Sequence, residues 1–249
     1  MSRWVIWAFR ALSVILLILV WEWQAAQPRA FAFASLGKVV SALVSGITSG
    51  EFFRAAGGTL GTMLIGYLLA IVIGIVLGCA VTFWRWGEWT LRPLIDALNI
   101  APISMFLPLI ALYLGTGEVG RVFVVFMWAV FTIYETTSAG ISQTPPTLLE
   151  MSRAFGARPL QRWWTVILPA AFPSLAVGLR LALGRAFRGA LTAELLLSTA
   201  NLGSILTGAN TLYNIPRLLA GVLFITTLGV LLLRGAEGLE RRALRRFRG

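Results

Sequence analysis

The sequence predicts an all-α membrane protein, and three observations carry that expectation. The first is composition: of 249 residues, 58% are hydrophobic and only 12% charged, with a mean hydropathy of +0.83. A soluble domain of this size carries roughly a quarter charged residues. The second is run length. Residues 55–84, 97–117, 163–179, 195–216 and 218–233 contain no Asp, Glu, Lys or Arg, and a helix needs about 20 mostly apolar residues to cross a bilayer. The third is where the charge goes. The net charge of +11 sits largely at the ends of apolar runs, with Arg234, Arg241, Arg242, Arg245, Arg246 and Arg248 following the last one. That pattern anchors helices at a cytoplasmic face, so nucleic-acid binding is not expected.

The runs divide residues 1–249 into one membrane domain with six spans, at about 4–23, 59–84, 94–114, 120–139, 170–196 and 217–235. The first starts near Trp4 and ends in Trp21 and Trp23, which suit an interfacial belt. It is read as an uncleaved helix, although Ala30-Phe31-Ala32 offers a small-x-small cleavage site. Between spans one and two, Leu36, Val39, Val40, Leu43, Val44 and Ile47 recur at loosely helical spacing, with Lys38, Glu51 and Arg54 about them. This predicts a helix over 36–53 lying at the interface. In the third span Pro102 and Pro108 predict a kink or break. Trp84, Trp86, Trp89, Trp163 and Trp164 cluster at span ends as belt residues.

Orientation follows from arginine. With the N-terminus inside, only Arg29, Lys38, Arg54, Arg121 and Arg217 lie outside, while most other basic residues lie inside. Both termini, the loop 140–169 and the basic tail 234–249 are therefore expected in the cytoplasm.

The loop is unusually structured. Pro145 and Pro146 stop the fourth span. Thr147-Leu-Leu-Glu150 fits a capping box opening a short helix over about 148–155. Gly156 suits the left-handed residue that ends it, and Pro159 suits the first turn of a second short helix. The result is a helix–glycine–helix elbow. Its apolar residues Leu148, Leu149, Met151 and Phe155 either pack on the chain's own membrane domain or form a joint for a cytoplasmic partner; both readings stand on the residues alone.

Glu150, Gly156, Val166, Leu168 and Pro169 are spaced as in the EAA loop of ABC-importer permeases, which this segment resembles. Met151 and Ser152 replace the two alanines, and Val166 replaces an isoleucine. Gly178 to Leu196, then Asn201-Leu202-Gly203, is similar to the nitrate/taurine/aliphatic-sulfonate group of these permeases, as are Leu91-Arg92-Pro93 through Pro102 and Pro108. The resemblance implies a type I importer fold in the bacterial inner membrane and a homodimer. It implies a cytoplasmic ABC ATPase dimer, which binds ATP and Mg, and an extracytoplasmic solute-binding protein. Glu150, Met151, Ser152, Phe155, Gly156, Ala157 and Pro169 would then couple to the ATPase. The sequence is in keeping with this: its single lysine, Lys38, is followed by Val39 and Val40 rather than the Gly-Lys-Ser/Thr of a phosphate-gripping loop, so ATP-driven work needs a partner.

Span five superposes two features. Gly178, Ala182, Ala186 and Ala190 recur every four residues and lead to Glu194, a stripe that admits a close helix neighbour. Gly66, Gly74 and Gly78 do the same on span two, within the subunit or across a dimer. Arg180, Arg185 and Arg188 fall on an arc beside the stripe. Charge at membrane depth faces a cavity or a partner, so these arginines either line an anion pathway with Glu194 as partner or gate, or serve structure by ion pairing and snorkelling. Asp96 and Glu135 are read as interfacial. With no His and a lone Cys79, neither a metal site nor a nucleophile–base pair is expected. The expectation is thus a transport subunit, not an enzyme, that binds no cofactor itself and moves a small anion such as a sulfonate, taurine or nitrate. A neutral solute of the thiamine-precursor kind, and a stand-alone secondary transporter, are the alternatives.

Overall fold

The computed structural model describes residues 3–27, 33–83 and 85–248. Arg29, the Ala30-Phe31-Ala32 site and Trp84 lie outside the described residues, as do the side chains of Arg3, Arg85, Arg246 and Arg248. No strand occurs among the described residues. This is what lipid demands of a spanning chain, because a helix satisfies its backbone groups internally.

Among the described residues eleven α-helices follow one another: α1 (Arg3–Ala25), α2 (Leu36–Thr48), α3 (Glu51–Phe83), α4 (Arg85–Ile100), α5 (Leu107–Leu114), α6 (Glu118–Ser142), α7 (Pro146–Ala154), α8 (Pro159–Arg162), α9 (Leu168–Leu196), α10 (Asn201–Thr211) and α11 (Ile215–Arg248). Among the described residues, the runs Glu51–Phe83, Glu118–Ser142, Pro159–Leu196 and Ile215–Arg245 are long and apolar enough to cross a membrane. A fifth pair, Trp86–Ile100 with Ile103–Leu114, is bent by 92°. The bend falls at Ala101 and Pro102, where proline removes a backbone donor and pushes the preceding residue out of the helical region. The sequence count of six adds α1, whose Leu16, Leu17 and Leu19 are exposed. It is tied to α2 through Trp21, whose ring nitrogen donates to the Ala34 carbonyl at 2.9 Å, and Glu22, which accepts from the Leu36 amide at 2.7 Å.

Several boundaries differ from the sequence reading. Span two begins eight residues early, because Glu51 and Arg54 form the first turns of α3 and Glu51 pairs with Arg217 at the start of α11. The interfacial helix ends at Thr48, and Gly50 (φ +71°) turns the chain into α3. Within the segment 234–249, read as a basic cytoplasmic tail, α11 continues through Arg248. Helix α10 was not foreseen: residues 195–216 read only as an uncharged run, and α10 is 11 residues long.

The core is a three-helix seam with α6 in the middle. Helix α3 runs parallel to it, and α9 antiparallel. Where α3 meets α6 it carries glycine. A Cβ on Gly66 would stand 2.7 Å from the Val122 carbonyl oxygen, one on Gly74 2.8 Å from Ile133 Cβ, and one on Gly78 2.6 Å from Thr137 Cβ. On the α9 side, a Cβ on Gly178 would collide with Thr136, and one on Gly189 would stand 2.9 Å from Trp128. Ala182, Ala186 and Ala190 are completely buried in the same contact. Small residues let the backbones approach, so dispersion between closely packed helices replaces the hydrophobic drive that lipid does not supply. The outward faces stay apolar and open: Val72 is 63% and Val76 61% exposed, which in a bilayer is lipid contact.

Candidate functional site

The elbow is built by α7, Gly156 and α8. The proline pair sets its start. Pro145 holds an extended conformation (φ −57°, ψ 129°) and Pro146 fills the first helical turn, where a missing N–H costs nothing. The expected capping box is not formed. Thr147 lies inside the helix, and no side-chain cap closes its N-terminus. At the far end the chain reverses through a Schellman turn. The Ala157 amide donates to the Ser152 carbonyl at 3.0 Å and the Gly156 amide to Arg153 at 2.9 Å. Gly156 holds φ +74°, the left-handed conformation that glycine adopts without a Cβ penalty.

After α8 the helix widens into a π turn over Trp163–Ile167 before α9 resumes. Pro169 and Pro173 have no N–H to return to the carbonyls of Thr165 and Pro169, so the regular ladder is interrupted where the elbow joins the long helix. Trp163 packs edge-on against Phe83 at the end of α3, with ring centroids 4.8 Å apart. An apolar groove of about 1000 Å³ opens there, lined by Cys79, Phe83, Leu149, Leu160 and Trp164 among others.

Outside that groove Phe155 is 84% and Met151 55% exposed, with Glu150 exposed beside them, while Leu160, 71% exposed, lines the groove. Ser152 is half-buried and bonds back to the Leu149 carbonyl at 2.7 Å. Ala157 and Pro169 are half-buried, Pro169 within the first turn of α9. The sequence-named residues Glu150, Met151, Ser152, Phe155, Gly156 and Ala157 therefore fall in one elbow, with Gly156 at the bend, while Pro169 belongs to α9.

The arginines of α9 part company. Arg180 lies 2.5 Å from Glu240 of α11 in an ion pair whose acid is only 11% exposed. Arg188 faces a groove of about 280 Å³ between α9 and α11, together with Arg180, Arg234 and Glu237. Arg185 is exposed and lines no described cavity. Glu194 is not brought together with any of them. It is fully buried, accepting from the Thr59 hydroxyl at 2.9 Å, Asn201 Nδ2 at 2.8 Å and the Gly203 amide at 3.2 Å. Helix α10 has no side-chain cap of its own, since Ala200 occupies that position. Glu194 supplies the hydrogen-bond acceptor at its N-terminus from the neighbouring helix. Sequence reasoning missed Thr59 and Glu240, which lie 135 and 60 residues from their partners; only Asn201 and Gly203 were singled out, and for other reasons. Asp96 stands 3.8 Å from Arg92, and Glu135 accepts from Asn99 at 2.6 Å.

Residues 70–245 match the model of the binding-protein-dependent transport system inner membrane component. The chain belongs to this family. It is accordingly a multi-pass inner-membrane protein and a permease subunit of an ABC importer for small solutes. Among its relatives, the Bacillus subtilis protein SsuC, named for aliphatic sulfonates transport, is 30% identical over 199 residues, covering 80% of this chain and 72% of that protein. The taurine transport system permease protein TauC of Escherichia coli is 26% identical over 197 residues, covering 79% and 72%. In fold, the permease resembles a chain of the inward-facing MetNI methionine ABC transporter. The TM-score is 0.68, with 20% identity over 78% of this chain and 97% of that one.

Proposed function

We propose that this permease subunit imports a small organic oxyanion of the sulfonate type, driven by a separate cytoplasmic ATPase that seats on the α7–α8 elbow, and that it works as a homodimer served by an extracytoplasmic binding protein. One observation carries the reading of the elbow: its apolar side chains Phe155 and Met151 are exposed outside the groove against α3, on a bend held by paired backbone hydrogen bonds. Exposed apolar groups gathered on a structured segment suit a protein partner. In this reading, closure of the ATPase pair moves the elbow, and α9, which continues from it, carries the displacement into the membrane. ATP and Mg belong to the partner.

The oxyanion reading draws support from the relatives named for sulfonates and taurine and from Arg188, which faces a groove without an acidic partner among the described residues. The test is Phe155→Asp, which leaves the fold's interior untouched. Co-purification with the cognate ATPase and ATP-driven uptake of ethanesulfonate into proteoliposomes should both fall at least tenfold, with unchanged membrane insertion. Retained co-purification would remove the elbow from the coupling path. Uptake of a neutral analogue in preference to ethanesulfonate would remove the oxyanion.

A further inference from the structure

The groove between α9 and α11 has a charge imbalance that its ion pairs leave in place. Four charged side chains line it: Arg180, Arg188, Arg234 and Glu237. Arg180 is committed to Glu240, 2.5 Å away. Glu237 is committed to Arg241 one turn further along α11, also at 2.5 Å. Both nearby acids are thus engaged, and Arg188 and Arg234 have no acidic partner among the described residues.

Both guanidiniums are exposed on the groove wall. Arg234 ends the uncharged run 218–233 of α11, and Gly184, one turn before Arg188 on α9, faces Leu233, so the two arginines stand near the same end of the span. The other walls of the groove are Leu181, Gly184, Val230 and Leu233, which offer no acceptor side chain. Guanidinium groups beside apolar walls and without an acidic partner are stabilised where an anion meets them. Two of them converging on one small space form the donor set that grips an oxyanion through several N–H bonds at once. Gly184 leaves room: a Cβ there would already stand 3.1 Å from Leu233.

We propose that Arg188 and Arg234 form a binding site for one oxyanion group, sulfonate or phosphate, in the α9–α11 groove. The site deepens the oxyanion reading above and rests on it for one point only, whether the occupant is the transported solute or a lipid headgroup. The shared chemistry is a compact anionic group with three or more acceptor oxygens, and the groove's volume of about 280 Å³ limits it to one such group.

The experiment uses the purified full-length permease with its ATPase in neutral-lipid nanodiscs. One arm titrates ethanesulfonate and follows tryptophan fluorescence. The other adds phosphatidylglycerol and follows retained lipid by native mass spectrometry. Arg188→Gln and Arg234→Gln should each weaken the responding arm about tenfold or more, since each removes charge-assisted hydrogen bonds. Arg188→Lys and Arg234→Lys should fall between these and the wild type. Arg245→Gln, which removes a guanidinium from α11 outside the groove, should leave binding unchanged. A response in the first arm identifies a solute site and in the second a lipid site; either supports the proposal. Binding in neither arm, or equal loss in Arg245→Gln, overturns it. If the groove variants lose binding while ethanesulfonate uptake persists, the site stands and the oxyanion pathway does not.

Discussion

Gly156 offers the sharpest test of the elbow because its two physical demands separate. A Cβ at Gly156 would meet nothing within 4 Å, yet the backbone holds φ +74°. Crowding therefore contributes nothing, and the whole penalty of a substitution is conformational. An L-residue in the left-handed region costs about 1–2 kcal/mol, and asparagine, which bonds locally, costs less. A β-branched residue there is a true outlier. The penalty falls on a turn held by two backbone hydrogen bonds, Ala157 to Ser152 and Gly156 to Arg153. An input of about 1–2 kcal/mol changes an equilibrium about 5–30-fold, so Gly156→Val should raise the population of the opened turn by that factor. Arg153 is exposed in the last turn of α7, and limited trypsin cleavage after it reports that population where opening is fast relative to cutting. Cleavage should rank Val fastest, then Ala, with Gly156→Asn near the wild type. In reconstituted transporter, solute moved per ATP should fall in the same order. Equal cleavage in Gly156→Val and Gly156→Asn would refute the conformational argument, and unchanged coupling would refute the elbow's part in transmission.

Two further outcomes test the membrane core. Gly74→Ala places a Cβ 2.8 Å from Ile133 Cβ and 3.0 Å from the Val130 carbonyl oxygen, so it should destabilise by about 1–3 kcal/mol through overpacking. Gly61→Ala on the same helix, where a Cβ meets nothing within 4 Å, should be neutral or stabilising by about 0.5–1 kcal/mol; thermal unfolding in detergent distinguishes them, and equal effects would sink the seam. Thr59→Val keeps shape but removes the hydroxyl that donates to Glu194 at 2.9 Å and accepts from the Leu202 amide at 3.3 Å. It should cost about 1.5–3 kcal/mol and speed amide exchange at the start of α10, whereas unaltered exchange there would deny Thr59 and Glu194 a joint capping role.

What the sequence made legible was whatever repeats or punctuates. Uncharged runs located the long helices, Pro102 located the bend, and Gly156 located the turn, because each acts on its own neighbours. The glycines at 66, 74 and 78 announced a close contact but not its partner; only the fold shows α6 there, within the subunit. Pairings across distance were opaque. Arg180 read either as a pathway residue or as one that pairs and snorkels, and its partner Glu240 was not legible, since nothing local says that α11 stays helical beyond the apolar run and lies along α9. Glu194 read as a partner or gate of the arginines or as a structural ion pair, and its three donors, from α3 and from the start of α10, were not legible. A carboxylate's neighbours decide its work, and these lie up to 135 residues away. The capping box failed because Pro146, entering the helix, displaced Thr147 from the position where its hydroxyl could serve.

The notched contact between α3, α6 and α9 constrains how this molecule can move. Side chains of α6 sit in gaps where α3 and α9 carry only hydrogen, so sliding by a fraction of a residue would drive those side chains into backbone. Interlocked surfaces of this sort shift between discrete settings or not at all. The trio therefore behaves as a stiff strut, and a push received at one end reaches the opposite face of the bilayer as a tilt of the whole body, without being absorbed along the way.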